Sequence, residues 1–108
     1  MADPAEGGPS GTRMRTAVRP TRMDDAVDAY LGHVRLERGY SEHTVAAYAS
    51  DLADLTRFAE ARSVDGVDGV DLDLLRDWLW EATERGLARA TVARRAASAR
   101  GLCAWLER

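Results

Sequence analysis

The sequence has 108 residues, which is enough for one domain, and its 45% apolar and 31% charged content is typical of a globular chain. No apolar run approaches the roughly 20 residues that cross a bilayer, and residues 1–22 contain no apolar segment of a secretory signal. The single cysteine, Cys103, excludes an internal disulfide framework and a multi-cysteine metal site. We therefore expect a cytoplasmic protein without a metal or a cofactor.

The net charge of −3 hides an uneven distribution, and all 15 basic residues are arginines. Residues 1–22 sum to +2, residues 23–87 to −9 and residues 88–108 to +4. Because the positive charge is concentrated towards both ends of the chain, a local basic surface can exist despite the acidic total. The alternative interpretation is a solvated helix face in an arginine-rich proteome.

Residues 1–22 contain three prolines and three glycines but almost no large apolar side chains, so the sequence predicts a disordered tail there. The helical domain is predicted over 23–108, where apolar residues recur with helical spacing in four segments. The first segment is predicted to end at Gly39, and the second to begin at the N-cap Ser41. Their core-facing positions are Val27, Tyr30, Leu31, Val34, Val45, Tyr48, Leu52, Leu55, Phe58 and Ala59.

Two further helices are predicted beyond a loop at 63–70, from about Asp71 to Arg85 and from about Ala90 to the chain end. The core-facing positions of the third are Leu72, Leu75, Trp78, Leu79 and Ala82. Those of the fourth, called the predicted seam below, are Val92, Ala96, Ala99, Cys103 and Leu106. No segment alternates with the period of two that is typical of a strand. The sequence therefore predicts an all-α fold, a compact bundle of four short helices.

Few side chains are candidates for catalysis or for metal binding. Tyr30 and Tyr48 lie at core-facing positions, and Tyr40 follows Gly39 in a turn, so all three are interpreted as packing residues. His33 and His43 are ten residues apart and lack the spacing of metal ligands. Cys103 is interpreted as a small buried hydrophobe, because it lies in the predicted seam. No catalytic constellation is predicted.

Two features point instead to binding. On a helical wheel, Thr91, Arg94 and Ser98 lie opposite the predicted seam, with Arg95 at their flank. Hydroxyls interleaved with guanidinium groups suit phosphate oxygens and base edges, so we expect Arg94 to serve binding and not the core. The second feature is the predicted start of the second helix. Ser41, His43 and Thr44 surround its free backbone amides, where an anion can bind, and capping by Ser41 alone is the alternative.

The stretch from Val27 to Leu106 resembles the N-terminal SAM-like core-binding domain of the tyrosine recombinases, the phage-integrase family. The matching words are AYLGHVRLERGYSEHTVAAYASDLADLTRFA, LLRDWLWEATERG and ATVARRAASARGLCAWL. A Ser-x-x-Thr-x-x-x-Tyr-x-x-Asp-Leu pattern is formed by Ser41, Thr44, Tyr48, Asp51 and Leu52. The resemblance covers about four fifths of the chain in the order and spacing of the family.

The resemblance implies that this domain forms half of a C-shaped clamp around duplex DNA, with its second and fourth helices facing the DNA. It implies DNA contacts by Ser41, His43, Thr44, Thr91, Arg94, Arg95 and Arg100. In the family the catalytic residues lie in a separate C-terminal domain, so none is expected here. A related recombinase subunit, in a tetramer of the complete protein, is the implied protein partner, and no membrane or small-molecule partner is expected.

Two alternatives to a chromosomal recombinase remain open at this point. The first is an integrase of a mobile element, which shares the same domain. The second is a helical protein-interaction module that binds no DNA, which is consistent with the acidic body of the chain.

Overall fold

The computed structural model describes residues 21–107, and this part of the chain folds into four α-helices. They are α1 (Met23–Leu36), α2 (Glu42–Ala61), α3 (Leu72–Glu84) and α4 (Arg89–Leu106). A short 3-10 turn, Val67–Gly69, lies in the loop before α3, and the described residues form no strand beyond one isolated bridge. The predicted all-α bundle is confirmed. None of the helices in 21–107 has the length and apolar character needed to cross a membrane.

The predicted ends of α1, α2 and α3 are also confirmed. Ser41 is the N-cap of α2, and its hydroxyl oxygen accepts a hydrogen bond from the Thr44 amide at 3.1 Å. Gly39 and Gly86 have φ of +67° and +79°, a left-handed conformation that glycine adopts at little cost. Each therefore stops its helix and reverses the chain within a few residues.

The core is built from the predicted faces of α1 and α2 around one tryptophan from α3. Met23 and Ala26 extend the buried face of α1 by one turn beyond the prediction. Trp78 of α3 is fully buried between the helices. The buried apolar side chains of α1 and α2 are Met23, Ala26, Val27, Tyr30, Val34, Val45, Leu52, Leu55, Phe58 and Ala59.

The predicted stripe of α3 needs one correction. Leu72 is 68% exposed, and Leu74 is buried instead. Leu74, Trp78 and Ala82 follow each other at four-residue steps and form the buried face. Leu72 lies two residues before Leu74, which places it about 200° away around the helix.

The prediction of which face of α4 is buried is wrong. The fully buried residues of α4 are Ser98, Ala99 and Leu102, and most of the predicted seam is only half-buried. The buried face is rotated by about 70° from the prediction at 100° per residue. Two carboxylates on α2 cause this rotation, because Asp51 and Asp54 draw the arginines of α4 inwards, as described below.

The segment before α1 is attached to the loop that follows α2. The Val67 amide donates to the Thr21 carbonyl at 2.8 Å, and the Met23 amide donates to the Asp65 carbonyl at 3.1 Å. Met23 is 2% exposed. The predicted tail is therefore described only at Thr21 and Arg22, where the backbone pairs with this loop, and residues 1–20 lie outside the described part.

Candidate nucleic-acid interface

Arg94 and Asp51 form a two-pronged ion pair between α4 and α2. Nε of Arg94 donates to Oδ2 of Asp51 at 2.8 Å, and Nη2 donates to Oδ1 at 2.7 Å. Asp51 is 1% exposed, whereas the side chain of Arg94 remains 40% exposed. A buried carboxylate needs a cation, so the expectation that Arg94 does not support the core is wrong. The hydrogen bonds with Asp51 raise the pKa of Arg94 above its usual value.

One edge of the Arg94 guanidinium is thus fixed, and the other remains available. Within residues 21–107 the Nη1 group donates no hydrogen bond. An arginine held by a carboxylate on one edge loses little conformational freedom when the other edge binds an anion. Arg94 therefore combines a structural contact with a donor at the surface.

Arg95 forms part of the contact between α4 and α2, and its contact with DNA stays a prediction. Its side chain is 11% exposed, and Nη1 donates to Oδ2 of Asp54 at 2.9 Å. Trp78 donates to the same oxygen at 2.9 Å, and the Arg95 guanidinium lies 5.4 Å from the Trp78 ring centroid. Burial acts to raise the pKa of Asp54, but hydrogen bonds from Arg57 and Trp78 and the nearby positive charges lower it to about 2.

Ser98 is withdrawn from the predicted surface. It is fully buried, and its hydroxyl donates to the Arg95 carbonyl at 3.0 Å and lies 3.5 Å from Oδ2 of Asp51. The inward rotation of α4 brings Ser98 against α2, so its hydroxyl cannot reach a phosphate without a rearrangement of the helix. Thr91, two turns earlier, is half-buried.

The exposed face of α4 carries Arg89 and Arg100 together with small residues. Within the described part of the chain neither arginine forms an ion pair, unlike Arg57 or Arg62. The small exposed residues of this face are Ala93 and Ala104. An anionic partner can therefore approach the helix closely on this side.

Two arginines, Arg100 and Arg38, act on Tyr48, which lies on α2 and lines a cavity with residues of α4. Burial raises the pKa of Tyr48, and the charges of Arg100 and Arg38 act in the opposite direction. Tyr48 in turn contributes to the raised pKa of Arg94, after the larger effect of Asp51. We call Arg38, Tyr48, Arg94 and Arg100 the α2–α4 surface.

Sequence reasoning missed two members of this surface. Arg38 lies in the turn after α1, over the ring of Tyr40 at 5.7 Å, and Tyr48, which packs against the core as predicted, also reaches this surface. The signal available was the word RGY at 38–40, which places a guanidinium beside an aromatic ring. That Arg38 also approaches Tyr48 depends on the chain reversal at Gly39.

At the start of α2, the structure favours capping over an anion site. The Ser41 hydroxyl accepts from the Thr44 amide and donates to the Thr44 hydroxyl at 3.0 Å. His43 is exposed beside this cap. Contact of Ser41, His43 and Thr44 with DNA stays a prediction.

Metal and nucleophile chemistry receive no support from the described residues. No group of three His, Cys, Asp or Glu side chains within 21–107 could hold a metal ion. Burial, followed by the charge of Glu107, raises the pKa of the Cys103 thiol, which disfavours the reactive thiolate.

Comparison with known proteins identifies the family. The family described as phage integrase, N-terminal SAM-like domain, matches residues 27–108. Tyrosine recombinase XerC of Corynebacterium glutamicum is 34% identical over 100 residues, covering 93% of this chain and 30% of the relative. Tyrosine recombinase XerC of Mycobacterium sp. (strain JLS) is 39% identical over 88 residues, covering 80% and 29%. Tyrosine recombinase XerC of Bifidobacterium longum (strain DJO10A) is 33% identical over 85 residues, covering 79% and 24%.

The chain spans less than a third of the length of these curated relatives. No solved structure matches it. The helical bundle and the match over 27–108 agree in extent, because the matched residues begin within α1 and include all of α2, α3 and α4. The chain belongs to the phage-integrase N-terminal SAM-like domain family, the helical N-terminal part of tyrosine recombinases.

Proposed function

We propose that this domain binds duplex DNA through the α2–α4 surface, as the DNA-gripping part of a tyrosine recombinase. The observation that carries the proposal is that, within residues 21–107, neither Arg38 nor Arg100 forms an ion pair, while Arg94 keeps its Nη1 group without a protein partner. Guanidinium groups are the residue type that most often contacts DNA phosphates and guanine edges. The membership of the family supports the same class of partner.

The charge of Arg94 is largely matched by Asp51, so the net attraction comes from Arg38 and Arg100. Arg94 contributes an oriented donor, because its two hydrogen bonds with Asp51 hold the guanidinium in place before DNA binds. The proposed contacts are Arg38, Ser41, His43, Thr44, Thr91, Arg94 and Arg100. Arg95 and Ser98 hold α4 in place behind them.

The acidic body of the chain supports this orientation. Residues 23–87 sum to −9, whereas residues 88–108 sum to +4. DNA is therefore repelled from most of α1, α2 and α3 and attracted to α4, which supports a binding face that includes α4. An acidic total charge and a DNA-binding face are compatible in one small domain.

The finer role that we propose is that of a XerC-like recombinase. The relatives named tyrosine recombinase XerC support it. In such a role the complete protein works with a XerD-like partner in a tetramer on a short DNA site, resolves chromosome dimers before cell division and acts in the cytoplasm. Strand exchange itself belongs to the catalytic domain of the family.

The proposal is tested by measuring the affinity for a duplex by fluorescence anisotropy over a series of salt concentrations. We expect a dissociation constant on the order of 10⁻⁴ to 10⁻⁶ M at physiological salt, which weakens steeply as salt rises. Arg38→Gln and Arg100→Gln should each flatten the log–log salt slope by about one unit.

Arg62→Gln is the matched control, since it removes one arginine charge at the opposite end of α2, where Arg62 pairs with Asp77 at 3.2 Å. Its salt slope should equal that of the original chain. Equal slopes for Arg62→Gln and Arg100→Gln would remove the α2–α4 surface as the binding face. Binding that ignores salt, or no binding at any salt, would favour a protein-interaction module.

A further inference from the structure

An open cavity of about 310 Å³ lies between α1, α2 and α4, beside the α2–α4 surface. One wall is formed by small residues of α4, namely Ala97, Gly101 and Ala104. The facing walls are aromatic. The cavity continues the basic surface inwards, because Arg38 lies at its edge and Tyr48 is shared by both.

The hydroxyl of Tyr30 is the unusual feature of this cavity. Tyr30 is 4% exposed, and its hydroxyl lies so close to Gly101 that a Cβ at that position would collide with it. Within residues 21–107 this hydroxyl forms no hydrogen bond, and it is not among the side-chain atoms that are buried without a partner, so it is accessible from the cavity that Tyr30 lines. A ligand in the cavity can therefore form a hydrogen bond with it.

The polar groups around the cavity indicate the charge of that partner. Burial raises the pKa of Tyr30, and the neighbouring hydroxyls of Tyr40 and Tyr48 act in the same direction. Tyr30, Tyr40 and Tyr48 all line the cavity, and the charge of Arg38 acts to lower the pKa of Tyr30 and Tyr48. None of the described residues that line the cavity is a carboxylate, although Glu37 lies 3.8 Å from the lining residue His33. Hydroxyl and guanidinium donors without a carboxylate favour an anion.

The aromatic walls indicate the rest of the ligand. The rings of Tyr30 and Trp105 lie 5.8 Å apart, and those of Tyr40 and Tyr48 lie 5.7 Å apart at 88°. These ring pairs provide faces and edges on which a planar heterocycle can stack. A phosphate alone would leave most of the volume empty, whereas a base with its sugar and phosphate is of the matching order of size.

We propose that this cavity binds a single nucleotide, with its phosphate at Arg38 and the tyrosine hydroxyls and its base against the aromatic walls. The nucleotide has two sources of the same chemistry, a strand of DNA that lies on the α2–α4 surface or a free mononucleotide. The inference rests on the proposed function only for the first source.

Tyr30→Phe is the central variant, because it removes one oxygen that has no partner in the protein. We expect the free energy of unfolding to be unchanged and the affinity for the nucleotide to fall by about fivefold or more, as for one hydrogen bond to a charged group. Ala104→Leu fills the cavity from an exposed position and should abolish binding. Ala93→Leu, on the same exposed face but away from the cavity, is its control.

Binding is followed by quenching of tryptophan fluorescence, with Trp105→Phe identifying the part of the signal that arises in the cavity. The probes are inorganic phosphate, adenosine monophosphate, single-stranded DNA and duplex DNA.

Tyr30-dependent binding of adenosine monophosphate assigns the free mononucleotide as the ligand, and Tyr30-dependent binding of DNA alone assigns a nucleotide of the DNA strand. Tyr30→Phe that binds every probe as the original chain does, or a chain that binds none of them, overturns the inference. Loss of duplex binding with retained mononucleotide binding would instead contradict the proposed function and leave the cavity assigned.

Discussion

At the scale of single residues, Asp51 decides how α4 meets α2. A carboxylate that is 1% exposed would be strongly unfavourable without its cation, and Arg94 supplies two short hydrogen bonds to it. We therefore expect Arg94→Ala to destabilise the fold by about 2–4 kcal/mol, the lower part of the range for breaking a buried pair because Arg94 itself is partly hydrated. The measurement is urea unfolding followed by circular dichroism.

The matched comparison is the double variant Asp51→Leu with Arg94→Met, which removes both charges and keeps their volume. It should recover most of the stability that Arg94→Ala loses, since no buried charge remains unpaired. A loss below about 0.5 kcal/mol in Arg94→Ala would show that Arg94 is an ordinary surface residue.

A second residue-scale prediction concerns the pH dependence of stability through Asp54. Its pKa of about 2 lies below the usual value of 3.8, so the folded state binds this proton less readily than the unfolded state. The ionised carboxylate therefore stabilises the fold above about pH 4, and that contribution, about 2 kcal/mol, is lost as the pH falls from about 4 to about 2. Asp54→Asn should flatten the unfolding free energy over this interval.

Asp73→Asn serves as the control. It removes an exposed carboxylate of α3 that forms an ion pair with Arg76. Its pH profile should keep the slope of the original chain between pH 4 and pH 2. If Asp54→Asn kept that slope as well, the network of Asp54 with Arg57, Trp78 and Arg95 would not be the source of acid sensitivity.

At the scale of helices, the predictions succeeded where large apolar side chains mark the face. Tyr30 on α1 and Leu52 and Leu55 on α2 identify the buried side by themselves, since each must leave water. The first three turns of α4 have no such marker, because alanine and arginine dominate them, and Leu102, the large apolar residue that is buried, was not among the positions predicted to face the core. The rotation of α4 is set by Asp51 and Asp54 of another helix, more than forty residues earlier in the chain. Sequence periodicity within α4 carries no information about those partners.

The close approach of α1 and α4 at Gly101 leads to an element-scale prediction. A Cβ at this position would collide with the Tyr30 hydroxyl, so Gly101→Ala should destabilise the fold by about 1–2 kcal/mol, although alanine is the better helix former by about 1 kcal/mol. In a Tyr30→Phe background the collision is reduced to the contact with the ring Cζ at 3.2 Å, and the same substitution should cost about 1 kcal/mol less. Thermal unfolding of the four chains in the cycle measures this coupling.

Additive effects in that cycle would mean that α1 moves away from α4 at no cost, and the close packing of the two helices would then not be a source of stability. Ala93→Gly on the exposed face of α4 gives the helix-propensity contribution alone, since it changes no packing.

At the scale of the whole molecule, arginines that pair with acids lie apart from the arginines proposed to bind DNA. Within 21–107 most arginines outside the α2–α4 surface are paired with acids, as Arg57 is with Asp54 and Glu81. Those pairs join helices and add little long-range field. The unpaired positive charge remains on α4 and in the turn before α2, where the proposed nucleotide cavity also opens.

The attachment of the segment before α1 gives the last prediction. The sequence predicted a disordered tail over residues 1–22, but Thr21 accepts a hydrogen bond from the Val67 amide at 2.8 Å, and Arg22 pairs with Gly66 through the only bridge among the described residues. A chain that begins at Met23 loses the Thr21 acceptor, leaves the Val67 amide without its protein partner, and puts a positive terminus at the start of α1, where the helix dipole disfavours it. We expect this chain to melt about 4–8 °C below one that begins at Thr21, which corresponds to about 1 kcal/mol in a domain of this size. Differential scanning calorimetry of the two chains isolates the contribution of Thr21 and Arg22, because everything from Met23 onwards is common to both.

Acetylating the N-terminus of the shorter chain removes the charge and should recover only part of the difference, since the hydrogen bond from Val67 is still absent. Equal melting temperatures for the two unmodified chains would show that the loop at 63–70 keeps its conformation without this attachment. The folded domain would then begin at Met23.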